Sequence, residues 1–277
     1  MNVPENASEN KSLPGTLPRT LLQTLLQTKG LGVEIGGKTV CRELEMVITT
    51  GQCWGLLGIN GVGKTTLLHT LAGLRAPAQG EVLLAEKPLA DLPRRLAAQQ
   101  VGVLLQDDDD AFPGIVMETV LTGRHPWLGQ WQWESEDDRA LALAALSDVG
   151  LDGLEQRQVN TLSGGERRRL ALATLFTQNP QLYLLDEPTN HLDPHHQIEL
   201  LTLLGQRVAD SERAALMILH DINLATRFCD HLMLLFGEGE VLCGPSAEVL
   251  NIDTLSRVYG HPVISVEGPN GPVFLPG

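Results

Sequence analysis

The sequence has few of the features that mark secreted or membrane-spanning proteins. Its four cysteines, Cys41, Cys53, Cys229 and Cys243, show no CxxC spacing, so we expect buried reduced thiols rather than disulfides or a metal site. No apolar run approaches the roughly 20 residues that a membrane span needs. The N-terminus has Pro, Asn and Glu where a signal peptide would have basic residues and a long apolar stretch. A cytoplasmic location is therefore expected.

Positive charge is also scarce. The chain has 20 Lys and Arg against 34 Asp and Glu, which gives a net charge of −14. A nucleic-acid binder would show a basic footprint, and anionic lipid attracts basic surfaces. We therefore expect no nucleic-acid partner, and any association with a membrane should run through another protein. The 277 residues allow one large domain or two modest ones with an ample core.

The most informative segment that is present covers residues 58–66, Gly-Ile-Asn-Gly-Val-Gly-Lys-Thr-Thr. It fits the P-loop pattern G-x-x-x-x-G-K-[ST]. The apolar run at 53–57 predicts a buried strand before the loop, and residues 66–72 predict a helix after it. Because a P-loop lies between a strand and a helix, this context supports phosphate binding.

The residue types of this loop suit a nucleoside triphosphate with Mg²⁺. Glycines let backbone N–H groups converge on phosphate oxygens, and the helix N-terminus adds a partial positive charge. Lys64 can neutralise the β- and γ-phosphates, and the Thr65 hydroxyl can ligate Mg²⁺. The candidate nucleotide-binding residues in the loop are Gly58, Asn60, Gly61, Gly63, Lys64, Thr65 and Thr66.

The rest of the chain predicts an α/β fold with a mainly parallel sheet, because strand-like and helical stretches alternate. A disordered tail is expected at 1–20, ahead of a single domain at 21–277. Short strand-like runs broken by glycines predict a β-rich, antiparallel region before the P-loop. A helical subdomain is expected at about 113–165, with a capping box at Ser135 opening one helix. Further strands are expected at 81–84, 101–105, 182–185 and 216–219.

Two further segments carry chemistry. The apolar run at 181–185 ends in Asp186 and Glu187, and a strand that delivers a carboxylate to its C-terminal end suits Mg²⁺–nucleotide chemistry. Asp186 is a candidate Mg²⁺ partner, and Glu187 could polarise an attacking water; the alternative is a solvated strand end. Residues 162–166, Leu-Ser-Gly-Gly-Glu, predict either a second anion-binding nest or an ordinary N-cap in which Ser163 and Glu166 form a box.

Taken together, the P-loop, Gln106, the Leu-Ser-Gly-Gly-Glu segment, the Asp-Glu strand and His220 resemble the nucleotide-binding subunit of ABC transporters over about residues 25–245. The resemblance implies the ABC ATPase fold, a P-loop NTPase. It also implies that Gln106 is the Q-loop glutamine that touches Mg²⁺. His220 matches the switch histidine that contacts the γ-phosphate, and residues 190–193 match the D-loop.

The resemblance further implies a homodimer with ATP at its interface. Ser163 and Gly165 of one subunit would meet the γ-phosphate held by Lys64 of the other. The implied catalytic residues are Glu187, His220, Gln106 and Lys64, and the implied Mg²⁺ partners are Thr65, Gln106 and Asp186. One position departs from the family, because Ile35 stands where an aromatic residue commonly stacks on adenine.

The Ser-Gly-Gly-Glu run and short segments at 120–126, 258–263 and 274–276 resemble the ATPases of bacterial importers for iron-siderophores, haem and cobalamin. This implies a permease dimer, a periplasmic binding protein as an indirect partner, and a place on the cytoplasmic face of the inner membrane. The alternatives are the ATPase of an exporter and a soluble, non-transport ABC ATPase.

Four further features lie outside these motifs. The acidic run Asp107–Asp110 is either a solvated loop or a surface for basic permease residues. Trp127, Trp131 and Trp133 are expected in the core, with a permease-facing patch as the alternative. The histidines of the 191–196 segment are expected at the surface rather than on a metal, and 167–169, Arg-Arg-Arg, is expected on the solvated side of a helix.

Overall fold

Strands and helices alternate through the parts of the chain that the computed structural model describes, residues 23–106, 114–209, 212–268 and 271–277. The expected tail at 1–20 and the acidic run at 107–110 lie outside these residues. The strands are β1 Thr24–Ile35, β2 Lys38–Thr49, β3 Cys53–Gly58, β4 Gln79–Leu84, β5 Lys87–Pro88, β6 Val101–Leu104, β7 Leu182–Leu185, β8 Ala214–Ile218, β9 His231–Gly237, β10 Glu240–Pro245, β11 Val263–Gly268 and β12 Gly271–Pro276. The helices are α1 Lys64–Leu71, α2 Arg94–Gln100, α3 Val116–Leu121, α4 Glu136–Asp148, α5 Gly164–Gln178, α6 Pro194–Ala209, α7 Ile222–Phe228, α8 Ser246–Val249 and α9 Ile252–Tyr259.

A six-stranded sheet in the order β10-β9-β3-β8-β7-β6 forms the centre of the molecule. The pairs from β9 to β6 are parallel, and β10 is antiparallel to β9. Apolar side chains cover both faces: Leu182 and Leu184 of β7 point to one core, and Tyr183 and Leu185 point to the other. Strands buried on both faces read as continuous apolar runs, and the prediction of a mainly parallel sheet is confirmed.

A second sheet, in the order β2-β1-β4-β5, is antiparallel. Its strands are longer than the sequence suggested, because β1 continues through Gly30 and Gly32 as a 12-residue strand. Shifts of register on either side of Leu31 absorb these glycines, as expected of β-bulges. Only Gly36 and Gly37, at φ +55° and +78°, break the strand, because a two-residue hairpin turn needs positive φ.

Between β6 and α5 the described chain is mainly helical, and α3 and α4 pack against α5. The capping box predicted at Ser135 is present, with Asp138 at its third position. The expectation that the tryptophans of this region lie in the core is wrong. Trp131 and Trp133 are 91% and 84% exposed, and Trp127 is 39% exposed.

The C-terminal part of the chain holds a helix and a hairpin that the sequence reading did not predict. The hairpin of β11 and β12 and the helix α9 enclose a small core of their own, formed by Leu255, Val263 and Phe274. Ile222 of α7 packs against both this core and the main one, so the unit rests on the first turn of α7. Among the described residues, no helix is long and apolar enough to cross a membrane.

Candidate nucleotide and catalytic site

The candidate site residues follow four neighbouring parallel strands. The P-loop follows β3, Gln106 follows β6, Asp186 and Glu187 follow β7, and His220 follows β8. Since the carboxyl ends of parallel strands meet at one edge of a sheet, segments that are far apart in sequence converge there.

Lys64 opens α1 and is buried, with 6% of its surface exposed. Its Nζ donates hydrogen bonds to the carbonyl oxygens of Gly58 and Ile59, at 2.8 and 3.1 Å. Burial lowers the pKa of Lys64, and the carboxylates of Glu187 and Asp186 oppose that shift. The ammonium group is therefore folded over the loop within electrostatic reach of both acids.

The glycines of the loop allow this shape. Gly61 and Gly63 have φ of +76° and +110°, a region that disfavours side chains. A Cβ added at Gly63 would lie 2.5 Å from a methyl carbon of Val40. Asn60 is exposed in the loop, and Thr65 and Thr66 lie in the first turn of α1. The arrangement agrees with the sequence-based prediction of a loop that cradles phosphate.

Asp186 is fully buried at the end of β7, where its N–H donates to Leu104 O at 2.9 Å. Neither of its carboxylate oxygens has a partner with hydrogen-bond geometry among the described residues. Burial raises the pKa of Asp186, and the hydroxyl of Thr65 opposes the shift. Thr65 therefore lies close by without closing a full hydrogen bond. Buried carboxylate oxygens are normally satisfied by donors or by a metal, so this pair of residues fits a divalent cation.

Glu187 is the centre of the cluster, and three donors converge on its carboxylate. Oε1 lies 2.6 Å from Nε2 of His220, and Oε2 accepts from Nε2 of Gln106 at 3.3 Å. The side-chain amide of Asn190 also donates to Oε2. Sequence reasoning placed Asn190 in the D-loop without a role at the site; its place in the turn that follows Glu187 was the available signal.

Hydrogen bonds from Arg168 hold the backbone around Glu187. Glu187 has φ +50°, an uncommon conformation for a residue with a side chain. The guanidinium of Arg168 donates to the carbonyl oxygens of Leu105, Asp186 and Glu187 at 2.7, 2.5 and 2.8 Å. The carbonyl of Glu187 also accepts from the N–H of Asn190 at 3.1 Å. Arg168 thus joins the ends of β6 and β7.

The expectation that Arg168 is solvated is wrong, because the residue is 5% exposed. The signal was its spacing, since Arg168, Leu172 and Leu175 follow the i, i+4, i+7 pattern of a buried helix face, and all three are buried. A planar fork with five donors suits several carbonyl acceptors at once.

Ser163 and Gly165 do not join this cluster within the chain. Ser163 is the N-cap of α5 and accepts from the N–H of Glu166 at 3.2 Å, while Oε2 of Glu166 accepts from the N–H of Ser163 at 2.7 Å. This is the capping box of an ordinary N-cap, which was the alternative to an anion-binding nest. The first turn of α5 is exposed at Ser163 and lies against the turn that contains His191.

The remaining candidate positions lie outside the cluster. Ile35, at the end of β1, is 42% exposed. His195 and His196 pair with neighbouring acids of the same helix or its entry, Glu199 at 3.2 Å and Asp193 at 2.7 Å. These surface pairs are worth little to stability.

Comparison with known proteins agrees with this geometry. A family model described as ABC transporter matches residues 41–190, more than half of the chain. The petrobactin import ATP-binding protein FpuD of Bacillus anthracis is 35% identical over 235 residues, with 84% of this chain and 85% of that protein covered. The hemin import ATP-binding protein HmuV of Pseudomonas aeruginosa is 40% identical over 249 residues, with 87% and 94% covered. The solved structure of cbiO1 from Clostridium perfringens, part of the ABC transporter complex cbiONQ, is 27% identical, has a TM-score of 0.72, and is matched over 85% of this chain and 94% of that one. The chain therefore belongs to the ABC transporter family and is an ABC transporter ATPase.

Proposed function

We propose that this chain binds and hydrolyses ATP to drive uptake of an iron-siderophore, haem or a related metal chelate through a separate permease. One observation carries the hydrolytic part: Gln106, His220 and Asn190 all converge on the carboxylate of Glu187, at the sheet edge that also carries the P-loop. The uptake part is supported by relatives whose names state import of petrobactin and hemin. Those names favour an importer over an exporter or a non-transport ATPase.

The residues of this chain would divide the work as follows. The P-loop N–H groups and Lys64 bind the phosphates, which replace the carbonyls of Gly58 and Ile59 as partners of Nζ. The carboxylate of Glu187 accepts a proton from the attacking water, and His220 contacts the γ-phosphate. Gln106 bridges Glu187 to the end of β6 and so orients the same water.

Thr65, Asp186 and Gln106 are the residues that would hold Mg²⁺. The two buried oxygens of Asp186 without hydrogen-bond partners and the adjacent hydroxyl of Thr65 are oxygen ligands of the kind that Mg²⁺ prefers. When bound, Mg²⁺ neutralises charge on the β- and γ-phosphate oxygens.

The active form we propose is a homodimer with ATP between the subunits. Ser163 and Gly165 lie at the start of α5, and among the described residues the side chain of Ser163 bonds to Glu166 and not to the Glu187 cluster. Backbone N–H groups at a helix N-terminus favour an anion, and the γ-phosphate bound to Lys64 of a second copy would supply it.

Contact with the permease dimer, on the cytoplasmic face of the inner membrane, is assigned to the loop that carries Trp131 and Trp133. Two tryptophans exposed to 91% and 84% leave a large apolar area uncovered. The exposed acids Glu134, Glu136 and Asp137 follow them in the sequence. Since cytoplasmic loops of membrane proteins are rich in Lys and Arg, such a loop is complementary in charge. The periplasmic binding protein would contact the permease and not this chain.

Affinity purification tests the proposal. The tagged Glu187→Gln protein would be isolated with ATP from gently solubilised native membranes, and its companions identified by mass spectrometry. A many-helix permease is the expected companion, and the class of that permease would narrow the cargo. Recovery of ribosomes or DNA without a membrane protein would overturn the transport function while leaving the ATPase activity intact.

A further inference from the structure

The C-terminal hairpin is connected to the catalytic cluster by a short series of hydrogen bonds. His220 directly precedes Asp221, which is the N-cap of α7. The side chain of Asp221 accepts from the N–H of Asn223 at 2.7 Å. The side chain of Asn223 in turn pairs with both backbone groups of Phe274 in β12. Its Nδ2 donates to Phe274 O at 3.1 Å, and its Oδ1 accepts from Phe274 N at 2.9 Å.

We propose that Asn223 is a positioning residue, which ties the C-terminal hairpin to the first turn of α7 and thereby holds His220 against Glu187. This inference rests on the proposed hydrolytic function. Among the described residues, Asn223 hydrogen-bonds to Asp221 and Phe274 and not to Glu187 or His220, so its effect on the reaction runs through the turn that carries His220.

The amide pair is suited to fixing a position. A side-chain amide that donates to the carbonyl and accepts from the N–H of one residue makes the same two hydrogen bonds as a neighbouring strand would. It therefore sets both the distance and the orientation of Phe274 relative to Asn223. Phe274 is itself fixed, since its side chain is buried with Leu255 and Val263. The N–H of Val263 donates to Oγ of Ser256 at 2.9 Å, which fastens the hairpin to α9.

Other contacts place this unit on the same turn. Ile222, between the N-cap and Asn223, packs into the hairpin core. Burial raises the pKa of Tyr259 to about 12, and the charge of Asp221 adds to that shift, so α9 also faces the N-cap. His220 is 43% exposed at its side chain, and its Nε2 lies 2.6 Å from Oε1 of Glu187. Because so much of the ring is uncovered by neighbouring side chains, its position depends on that one contact and on the backbone that the first turn of α7 holds.

Steady-state ATP hydrolysis by Asn223→Ala provides the first test. We expect kcat to fall about tenfold or more, because a misplacement of about 1 Å can cost roughly 100-fold. The KM for ATP should stay within about twofold, since the phosphates are held by the P-loop on β3 and α1. Asn223→Asp keeps the acceptor for Phe274 N but sets a carboxylate oxygen against Phe274 O, and because two acceptors repel each other, kcat should fall at least as far as in Asn223→Ala.

Asn251→Ala is the matched control. Asn251 also bonds to backbone, accepting from the N–H of Thr254 at 2.9 Å, but its described hydrogen bonds stay within the first turn of α9. A melting curve for each variant establishes how much stability is lost. If Asn251→Ala lowers kcat as much as Asn223→Ala at an equal loss of Tm, or if Asn223→Ala keeps the wild-type kcat, the positioning role is wrong.

A spectroscopic measurement reads the position of His220 without turnover. The ring ¹⁵N resonances of His220, assigned by their loss in His220→Ala, should move in Asn223→Ala toward their values in Glu187→Gln, and should not move in Asn251→Ala. Unchanged resonances would overturn the proposal even if activity falls. Failure of the proposed function is distinguishable, because Glu187→Gln would then hydrolyse ATP at the wild-type rate whatever Asn223 does.

Discussion

Nε2 of His220 lies 2.6 Å from Oε1 of Glu187, although the two residues end different strands of the sheet. The pair is possible because β7 and β8 are parallel neighbours, with Leu185 opposite Met217. The backbone leaves both strands at the same edge of the sheet, so the side chains of Glu187 and His220 reach the same point. The geometry suits a carboxylate that accepts a proton and an imidazole that donates to phosphate.

Glu187→Gln should separate ATP binding from turnover. The amide keeps the shape of the side chain but cannot take a proton from water, so we expect turnover to fall by about 100-fold or more while ATP-bound dimers still form. Phosphate release and size-exclusion chromatography with ATP measure the two effects. Glu199→Gln on the exposed face of α6 is the control; wild-type turnover by Glu187→Gln would remove Glu187 from the role of base.

Lys64→Ala should weaken ATP binding itself. The substitution removes a buried ammonium group that would form charge-assisted hydrogen bonds to phosphate, worth about 1.5–3 kcal/mol each. The expected loss of affinity is therefore about 10- to 100-fold, measured by titration calorimetry with Mg²⁺–ATP. Lys87→Ala, at an exposed position, should bind ATP normally. Unchanged affinity in Lys64→Ala would contradict the phosphate assignment.

Asp186→Asn should stabilise the nucleotide-free protein and abolish its response to Mg²⁺. Because burial raises the pKa of Asp186 in the folded state, the fold binds this proton more tightly than the unfolded chain does. Stability is therefore lost as pH rises from the unfolded pKa of about 3.9 through the raised folded value.

Asp186→Asn removes the free-energy cost of burying a charged carboxylate. At pH 7 its Tm should therefore be about 2–4 °C higher for each kcal/mol of that cost. The advantage should vanish below about pH 4, where Asp186 is protonated in both states. Melting curves against pH, with and without Mg²⁺ and ATP, measure this. A lower Tm for nucleotide-free Asp186→Asn at pH 7 would contradict the claim that the buried charge of Asp186 destabilises the nucleotide-free protein.

Arg168→Lys should loosen the turn that carries Glu187. Lysine keeps the charge but cannot reach three carbonyls with a planar fork, so about 1–3 kcal/mol of stability should be lost for buried carbonyls left unpaired. Turnover should fall with it, because Glu187 is held at positive φ. Arg167→Lys, at the partly exposed neighbouring position, is the control for both the melting curve and the ATPase rate. Equal effects of the two substitutions would argue against a role of Arg168 in holding the turn that carries Glu187.

Trp131→Ser with Trp133→Ser should weaken binding to permease-containing membranes and leave the ATPase rate of the isolated subunit unchanged. The indoles are exposed, so the fold should tolerate their loss, and neither is a described partner of the Glu187 carboxylate. Co-sedimentation with native membrane vesicles measures binding. Ile264→Ser with Leu275→Ser removes exposed apolar groups from another surface and should bind as the wild type does. Full binding by the tryptophan variant would exclude this loop from the contact.

Much of the site followed from sequence because its residues occupy local motifs. The P-loop pattern fixes a turn, a helix start and a lysine within nine residues, and an apolar run that ends in Asp186 and Glu187 identifies a strand end. Local backbone chemistry dictates these features whatever surrounds them. The sequence by itself therefore determined the α/β class, the P-loop pattern and the position of the candidate base.

Tertiary structure decided the features that depend on partners far along the chain. Arg168 looks like one of three solvated arginines until the carbonyls of Leu105, Asp186 and Glu187 surround it. Trp131 and Trp133 look like core residues until the described chain leaves nothing to cover them. Asn223 acquires its partner only when β12 returns to α7. Burial and long-range hydrogen bonds are properties of the packed chain, since they arise from which segments meet, and no local pattern of residues specifies them.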